Sequence, residues 1–444
     1  DTGTSSSDLT TKTAAQTITG TLSAALTSGD VLEGSVNGGT NWTSITSKVS
    51  GTTITWDGAT LVSGSNTIAF RVIDGFGNIG GLIGSSAYVL DTTAATLTIS
   101  SDVSALKIGE SATITFTFSE DPGSTFSWDG SSGDVSVSGG TLSSISGSGL
   151  TRTATFTPTA GIDSTTASIT VAQGSYTDTA GNDGGAGATP SLTFDTKAST
   201  LTVSGVSLSA DTGTSSSDLT TKTAAQTISG TLSAALTSGD VLEGSVNGGV
   251  NWTTITSKVS GTTITWDGAT LVSGSNTIVF RVTDGFGNIG DLRGSSAYVL
   301  DTTAPTVAIT SNVSTLKSGE TATITFTFSE DPGSTFTNAD VGLSGGTLSS
   351  ISGSGLTREA TFTPDASTNG GTATITVDSG NYTDAAGNDG GAGVTPSLTF
   401  DTQASTLTVS GVSLSSDTGT SSSDLITKTA AQTISGTLSA ALTS

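Results

Sequence analysis

The sequence predicts an all-β chain built as a tandem array of small β-sandwich modules. Three observations support this prediction: the segment DTGTSSSD occurs three times, apolar and polar residues alternate with a period of two, and helical periodicity is missing. The copies of the segment start at Asp1, Asp211 and Asp417, so they lie 210 and 206 residues apart. Solenoid and propeller repeats run to roughly 20–50 residues. Each period therefore holds more than one folded unit.

A second motif, Asp-Thr-Xaa-Ala, divides each period in two. Its copies begin at Asp91, Asp195, Asp301 and Asp401, with spacings of 104, 106 and 100 residues. This is the size of one small β-sandwich. We therefore predict two alternating module types, A and B, and name the modules by residue range: A1 is 1–91 and lacks its first strand, B1 is 92–195, A2 is 196–301, B2 is 302–401, and A3 is 402–444, a truncated A module.

Period-two alternation indicates the strands within each module. In A2, Ile278, Phe280 and Val282 fall on one face, with Val279 on the other, and residues 323–328 of B2 alternate threonine with an apolar side chain. Clusters of Gly, Asn, Asp and Ser separate the strands. Further strands are predicted at 200–209, 225–232, 241–246, 252–259, 262–266 and 296–300. About seven short strands in about 100 residues is the immunoglobulin-like count, so the predicted fold is a tandem array of immunoglobulin-like β-sandwich modules.

Composition restricts the classes of function. The chain has 37 acidic and 13 basic residues and a formal charge of −24, which argues against nucleic acid and anionic membrane surfaces as partners. It contains no Cys and no His, which removes disulfide staples, most zinc sites and His-dependent nucleophilic catalysis. Divalent cations are the natural partner of such a chain. The composition fits an extracellular bacterial surface or biofilm matrix.

The chain is expected to be a segment of a longer polypeptide. It contains no Met, and both of its ends fall inside a predicted module. No apolar run approaches the roughly 18 residues that a membrane-spanning helix needs, and no signal-like apolar region opens the sequence. We therefore expect no membrane insertion.

Acidic residues are predicted to collect where one module meets the next. In the immunoglobulin-like topology, the A–B loop (211–218 in A2) lies at the exit end of a module. The F–G loop (284–288 in A2) faces the preceding module. Calcium (Ca2+) takes about 6–8 oxygen ligands from carboxylates, amides and carbonyls, which such loops supply. The candidate ligands are Asp1, Asp8, Asp74, Asn78, Asp91, Asp178, Asn182, Asp195, Asp211, Asp218, Asp284, Asn288, Asp301, Asp384, Asn388 and Asp401, with Glu120, Asp121, Glu330 and Asp331 as weaker additions.

A simpler interpretation of the same residues remains open. Asp, Asn and Gly are common in ordinary hairpin turns, where the acids are solvated. Calcium is favoured because solvated turns do not need acids on both faces of one junction.

Several motifs together resemble a known family. They are DTGTSSSD, the segments 37–42 (NGGTNW), 328–330 (FSE), 344–348 (SGGTL) and 382–388 (YTDAAGN), and the Asp-Thr-Xaa-Ala exits. The chain resembles the tandem bacterial Ig-like repeats of giant secreted adhesins, the biofilm-associated and RTX-type proteins. The resemblance implies calcium-stiffened extender modules that hold a distal adhesive domain away from the cell. The family's GGxGxD array and adhesive domain are not in this sequence, so the adhesive ligand lies outside this segment.

Two functions other than an extender are compatible with parts of the sequence. Glu33 and Glu243 lie near Asp30 and Asp240, and a paired-carboxylate glycosidase needs two such acids. Nothing in the sequence indicates a large pocket, so we expect no enzyme activity. The stronger alternative is a structural subunit of an extracellular fibre, sheath or surface layer, in which modules pack against other copies of the chain.

Overall fold

The computed structural model describes residues 1–442, and its regular structure is almost entirely β. Within that range the helical elements are four short 3₁₀ helices: Thr46–Lys48, Gly123–Thr125, Thr256–Lys258 and Asn338–Asp340. None of the described helices is both long and apolar enough to cross a membrane.

The strands recur in the same order along the chain. In residues 1–91 they are β1 (Thr10–Thr11), β2 (Ala15–Thr21), β3 (Val31–Ser35), β4 (Thr43–Ser44), β5 (Val49–Ser50), β6 (Thr53–Thr60), β7 (Gly64–Ile73) and β8 (Gly84–Leu90). In residues 92–195 they are β9 (Leu97–Ser101), β10 (Ala105–Leu106), β11 (Ala112–Phe118), β12 (Val135–Ser138), β13 (Gly140–Leu142), β14 (Thr151–Pro158), β15 (Thr165–Val171), β16 (Gly187–Ala188) and β17 (Leu192–Phe194).

The second half of the chain repeats this pattern. In residues 196–301 the strands are β18 (Val203–Leu208), β19 (Thr220–Thr221), β20 (Ala225–Leu232), β21 (Val241–Ser245), β22 (Thr253–Thr254), β23 (Val259–Ser260), β24 (Thr263–Thr270), β25 (Gly274–Thr283) and β26 (Arg293–Leu300). From residue 302 they are β27 (Val307–Ser311), β28 (Thr315–Lys317), β29 (Ala322–Phe328), β30 (Val341–Ser344), β31 (Gly346–Leu348), β32 (Thr357–Pro364), β33 (Gly371–Val377), β34 (Gly393–Val394), β35 (Leu398–Asp401), β36 (Val409–Leu414) and β37 (Ile434–Leu438).

Each module from A1 to B2 consists of two sheets, which enclose a single core cluster in B1, A2 and B2 and two clusters in A1. In B2 the sheets have the orders β27-β29-β32-β31 and β28-β35-β33-β30, and B1 has the same arrangement. In A2 the orders are β18-β20-β24-β23 and β19-β26-β25-β21-β22. The strand pairs are antiparallel except where β1, β10, β19 and β28 pair in parallel with the last long strand of their module. This confirms the predicted all-β, immunoglobulin-like fold class.

The cores follow the alternation in the sequence. In β29, Ala322, Ile324, Phe326 and Phe328 are buried, and the threonines between them are exposed or half-buried. These four side chains pack with residues of both sheets of B2 in a single cluster. The outward threonines tolerate water, so one face of each sheet is apolar and the other polar.

Two strand predictions differ in detail from the structure. Val279 lies outside the core cluster that holds Ile278, Phe280 and Val282, as alternation predicts, but it is buried. A β-bulge lies opposite it, with the extra residue on β26 between Arg293 and Ser296. Residues 252–259 do not form one strand: β22 and β23 flank the 3₁₀ helix 256–258.

A1 differs from A2 at its first sheet. In A2, β18 pairs with β20, and Ile228 of β20 is fully buried. The corresponding sheet of A1 has three strands, in the order β2-β6-β5, and Ile18 of β2 is half-buried. At the other end of the described range, β36 and β37 form a two-stranded sheet that is mostly exposed.

Candidate metal centres at the A-to-B junctions

Three carboxylates gather at each place where an A module passes into a B module. At the A2–B2 junction they belong to Asp301, Glu330 and Asp384, and at the A1–B1 junction the equivalent residues are Asp91, Glu120 and Asp178. In each cluster, one carboxylate oxygen per residue lies within 4.8 Å of the other two. We call these clusters the carboxylate triads.

Strand ends position two members of the A2–B2 triad. Asp301 follows β26 directly, and its N–H donates to the carbonyl of Thr221 at 3.0 Å. Glu330 comes two residues after β29. The residue between, Ser329, is fixed to the linker because its Oγ accepts a hydrogen bond from the N–H of Thr306 at 2.8 Å. The strand β29 and the linker therefore bring the two side chains to the same end of the sandwich.

A tight loop positions the third member. The Oδ1 atom of Asp384 accepts a hydrogen bond from the backbone N–H of Asn388, and its Oδ2 atom accepts one from the side-chain Nδ2 of Asn388, both at 2.9 Å. Gly387 has φ +86, a left-handed conformation that glycine adopts without strain. The Nδ2 atom of Asn388 also donates to the carbonyl of Asp301 at 2.9 Å. The loop and the linker are thereby held together, and Asp384 is only 2% exposed.

The start of the DTGTSSSD segment covers this loop from the preceding module. The Oγ1 atom of Thr212 donates to the carbonyl of Ala386 at 2.7 Å, and Nζ of Lys222 donates to the carbonyl of Gly387 at 2.5 Å. A Cβ added to Gly213 would lie 2.3 Å from the carbonyl oxygen of Ala385, so the approach requires glycine. Thr2 and Lys12 make the same contacts with B1.

The triads carry uncompensated negative charge. Burial raises the pKa of Glu330 above its ordinary value, and the charges of Asp301 and Asp384 raise it further. The pKa of Glu120 is raised in the same way, by burial first and then by Asp91 and Asp178. In residues 1–442 no Lys or Arg side chain forms an ion pair with a triad carboxylate. The arrangement is one that a cation would stabilise.

The acid next to each triad glutamate has a different role. The Oδ1 atom of Asp331 lies 3.0 Å from Nη2 of Arg358, a buried side chain. The N–H of Gly333 and this guanidinium lower the pKa of Asp331. Asp121 pairs with Arg152 in the same way, at 3.1 Å. Both aspartates therefore lie outside the triads.

The B1–A2 junction has the same loop, but within residues 1–442 no third carboxylate clusters with Asp195 and Asp284 as in the triads. Nδ2 of Asn288 donates to the carbonyl of Asp195 at 3.1 Å and to Oδ2 of Asp284 at 2.9 Å. Ser233 accepts a hydrogen bond from the linker as Ser329 does, so Ala234 occupies the position equivalent to Glu330. A cleft of about 560 Å³ opens there, and its lining includes four carboxylates, Asp163, Asp195, Asp240 and Asp284, together with Ala234 and Lys197.

The other candidate ligands lie outside the triads. Asp211 and Asp218 accept N–H groups within their own loop, from Leu219 at 3.1 Å and Thr220 at 2.9 Å, and Asp1 and Asp8 do the same in A1. The Oδ1 atom of Asp211 is buried and has no hydrogen-bond partner. Asn78 donates a side-chain hydrogen bond to Asp74, which lowers the pKa of Asp74. Asp401 accepts a hydrogen bond from the N–H of Gln403. Asn182 bonds to Asp178 and to the carbonyl of Asp91.

The isolated strand acids are satisfied by neighbours. Oε2 of Glu243 lies 2.7 Å from Nε of Arg281, whose guanidinium carbon is 4.2 Å from the ring centroid of Trp252. Glu33 is paired with Arg71 over Trp42 in the same way. The nearby Asp240 accepts hydrogen bonds from Thr237 instead. Glu243 and Asp240 are thus each committed to a local structural contact.

Comparisons with known proteins identify two of the modules. Residues 91–196 and 301–402 match the sequence profile of the bacterial Ig-like domain. No curated protein sequence matches the chain significantly.

Solved structures that align with the chain include the tetra-tandem repeat in the extending region of a large adhesion protein. It is 16% identical, with a TM-score of 0.30, and the alignment covers 87% of this chain and 96% of that one. A structure from a 1.5-MDa bacterial ice-binding adhesin is 18% identical, with a TM-score of 0.24 and coverage of 70% and 98%. The I9–I11 tandem of titin is 10% identical, with a TM-score of 0.20 and coverage of 70% and 98%. Identities this low do not carry a function to this chain.

Proposed function

Because residues 91–196 and 301–402 are bacterial Ig-like domains, we propose that this chain is a non-catalytic extender of a bacterial cell-surface or biofilm adhesin. In this role its modules form a spacer between the cell and a distal adhesive domain, and calcium stiffens the A-to-B junctions. The carboxylate triads are the observation that carries the calcium proposal.

The triads join parts of the chain that a hinge would otherwise separate. Asp301 follows the last strand of A2, whereas Glu330 follows β29 of B2 and Asp384 lies in a loop of B2. A cation held by all three would tie the linker to the body of B2. Calcium suits this set because it accepts carboxylate and carbonyl oxygens in flexible geometry. Contacts between neighbouring modules are otherwise small in most chains, and relative motion is the default.

The surrounding contacts favour a stiff junction once the charge is neutralised. Thr212 and Lys222 of A2 already bond to carbonyls of the B2 loop, so the two modules meet along a defined surface. Repulsion among the triad carboxylates opposes this contact. A bound divalent cation would replace repulsion by attraction and would stabilise the closed junction by mass action.

Calcium titration of the full chain tests the proposal. In buffer stripped of divalent ions, calorimetry should detect two equivalents of bound calcium, one for each triad. Small-angle scattering should show a longer mean end-to-end distance with calcium than with EDTA. No bound calcium at millimolar concentration, with identical scattering curves in both buffers, would contradict the proposal.

Imaging distinguishes an extender from a fibre subunit. In an extender, each module contacts the neighbouring modules of the same chain, so the molecules should appear as isolated single threads. A subunit of a fibre, sheath or surface layer should form ordered bundles with a lateral repeat.

A further inference from the structure

We propose that the junctions alternate in their response to calcium: the A-to-B junctions depend on it, whereas the B1–A2 junction is calcium-independent. This inference rests on the proposed function of the triads. It makes the A–B pair, rather than the single module, the rigid unit of the array.

The first argument is the charge at the junctions. At A2–B2, Glu330 completes a triad and the linker residue Thr303 is neutral. At B1–A2 the equivalent positions are Ala234 and Lys197. At these two positions one negative charge is lost and one positive charge is gained. Asp163 and Asp240 also line the cleft, but Lys197 pairs with Asp163, and Thr237 donates to Asp240. A pair of aspartates beside a lysine is a poor calcium site, because the ligand charge is lower and the ammonium repels the ion.

The second argument is that positive side chains already lie at the B1–A2 junction. Nζ of Lys197 is 3.5 Å from Asp163 of B1. Lys107 of B1 lies over Gly287 of A2, with Nζ 3.6 Å from where a Cβ of that glycine would be. Lys107 corresponds to Lys222, which donates to Gly387 at the A2–B2 junction, so Lys197 is the positive side chain that distinguishes the B1–A2 junction.

The third argument is that uncharged contacts hold the B1–A2 junction closed. The N–H of Ile108 in B1 donates to Oδ1 of Asn288 in A2 at 2.8 Å, and Asn288 is buried. Phe286 takes the loop position that Ala386 has in B2 and is half-buried. The equivalent Phe76 of A1, which has no module before it in this structure, is 96% exposed. The B1 module therefore covers Phe286, and this contact requires no ion.

Distance measurements across the two junctions of A2 test the inference in the full chain. The protein has no Cys, so nitroxide labels can be placed at introduced cysteines on exposed strand positions. Thr155→Cys with Thr265→Cys spans B1–A2, and Thr265→Cys with Thr361→Cys spans A2–B2. EDTA should broaden the A2–B2 distance distribution by about twofold, because a contact that limits hinge motion is lost. The B1–A2 distribution should not change.

Reciprocal substitutions provide matched controls. Ala234→Glu combined with Lys197→Thr should make the B1–A2 distribution sensitive to EDTA and raise the bound calcium from two equivalents to three. Glu330→Ala combined with Thr303→Lys should make the A2–B2 distribution insensitive and lower the bound calcium to one equivalent. Far-ultraviolet circular dichroism checks that each variant keeps its β structure.

The outcomes separate this inference from the proposed function. If the parent binds three equivalents, or if EDTA broadens both distributions alike, calcium acts at every junction and the alternation is overturned. If the reciprocal variants leave the calcium count at two, the charge argument is overturned. If the parent binds no calcium and neither distribution changes, the proposed function fails and the alternation fails with it.

Discussion

The A2–B2 and B1–A2 junctions share the same hydrogen bonds between loop and linker, and they differ in the charged side chains beside those bonds. In both, an Asn at the end of a tight loop donates to the carbonyl of the linker Asp, at 2.9 Å from Asn388 and 3.1 Å from Asn288. In both, the serine that follows a strand accepts a hydrogen bond from a linker N–H: Ser329 after β29 and Ser233 after β20. The residue after that serine is Glu330 in one junction and Ala234 in the other.

This comparison separates the docking of modules from the response to calcium. The Asn-to-carbonyl bond and the serine contact occur at both junctions, so they account for docking and not for ion binding. Within residues 1–442, a cluster of three carboxylates occurs only at the A-to-B junctions. The glutamate that completes the cluster, together with the neutral linker residue Thr303 in place of Lys197, therefore concentrates negative charge at A2–B2.

The largest expected effect comes from Asp384→Ala, which removes the loop hydrogen bonds that both junctions have and also removes one carboxylate of the triad. The substitution removes two hydrogen bonds to Asn388 from a buried carboxylate. We expect B2 to lose about 2–4 kcal/mol of unfolding free energy even in EDTA. Hydrogen exchange of the β33 amides measures this loss. Asp378→Ala, at an exposed position of the same module, is the control and should leave the exchange rates unchanged.

The next effect is the removal of one ligand by Glu330→Gln. The amide keeps the shape of the side chain but lowers the charge of the triad, so calcium affinity at A2–B2 should fall about tenfold or more. The same variant should be slightly more stable than the parent in EDTA, because the repulsion from Asp301 and Asp384 is gone. Thermal unfolding in the two buffers measures this change of sign. A variant that is less stable in both buffers would show that Glu330 has a structural role instead.

A smaller effect is expected at the other junction from Phe286→Ala. The ring is half-buried, so its loss should weaken B1–A2 docking by about 1 kcal/mol. The B1–A2 label distances should broaden, with the bound calcium unchanged. Phe76→Ala removes the same ring where it is 96% exposed and should have no effect on any label distance. Equal effects of the two substitutions would contradict the docking role of Phe286.

The smallest expected effect is the pH dependence of the calcium-free A-to-B junction. The pKa of Glu330 is raised in the folded state, so the protonated form favours folding. Its contribution is fully present below the ordinary glutamate pKa and is lost as the pH rises through the raised folded value. In EDTA, lowering the pH from 7 towards 5 should therefore narrow the A2–B2 distance distribution. Glu330→Gln should abolish this pH effect. With calcium present the effect should have the opposite direction: lowering the pH should broaden the A2–B2 distance distribution, because protons compete with calcium for the carboxylates.

The repeats and most strands could be predicted from the sequence because they depend on local patterns. The strand 225–232 agrees at both ends with β20, and alternation correctly assigned the inward side chains of 323–328. The bulge in β26 between Arg293 and Ser296 and the 3₁₀ helix at 256–258 could not be predicted, because pairing with neighbouring strands decides them. Local sequence does not record that pairing.

The candidate site was predicted less completely than the fold. The motifs predict the linker acids Asp91 and Asp301 and the loop acids Asp178 and Asp384, and all four lie in triads, whereas the linker acids Asp195 and Asp401 do not. Glu120 and Glu330 are only weaker candidates from the sequence, although both belong to a Phe-Ser-Glu motif. Their signal is comparative: the equivalent residue is Ala in both A modules, at Ala24 and Ala234. Which acids meet depends on how neighbouring modules dock, which local spacing does not reveal.

Diffraction from crystals of this chain grown with millimolar calcium tests the central claim most directly. The account predicts an anomalous peak among the carboxylates of Asp301, Glu330 and Asp384, a second among those of Asp91, Glu120 and Asp178, and none between Asp195 and Asp284. Difference maps with no peak at either triad, and with the three carboxylates turned apart into solvent, would contradict it.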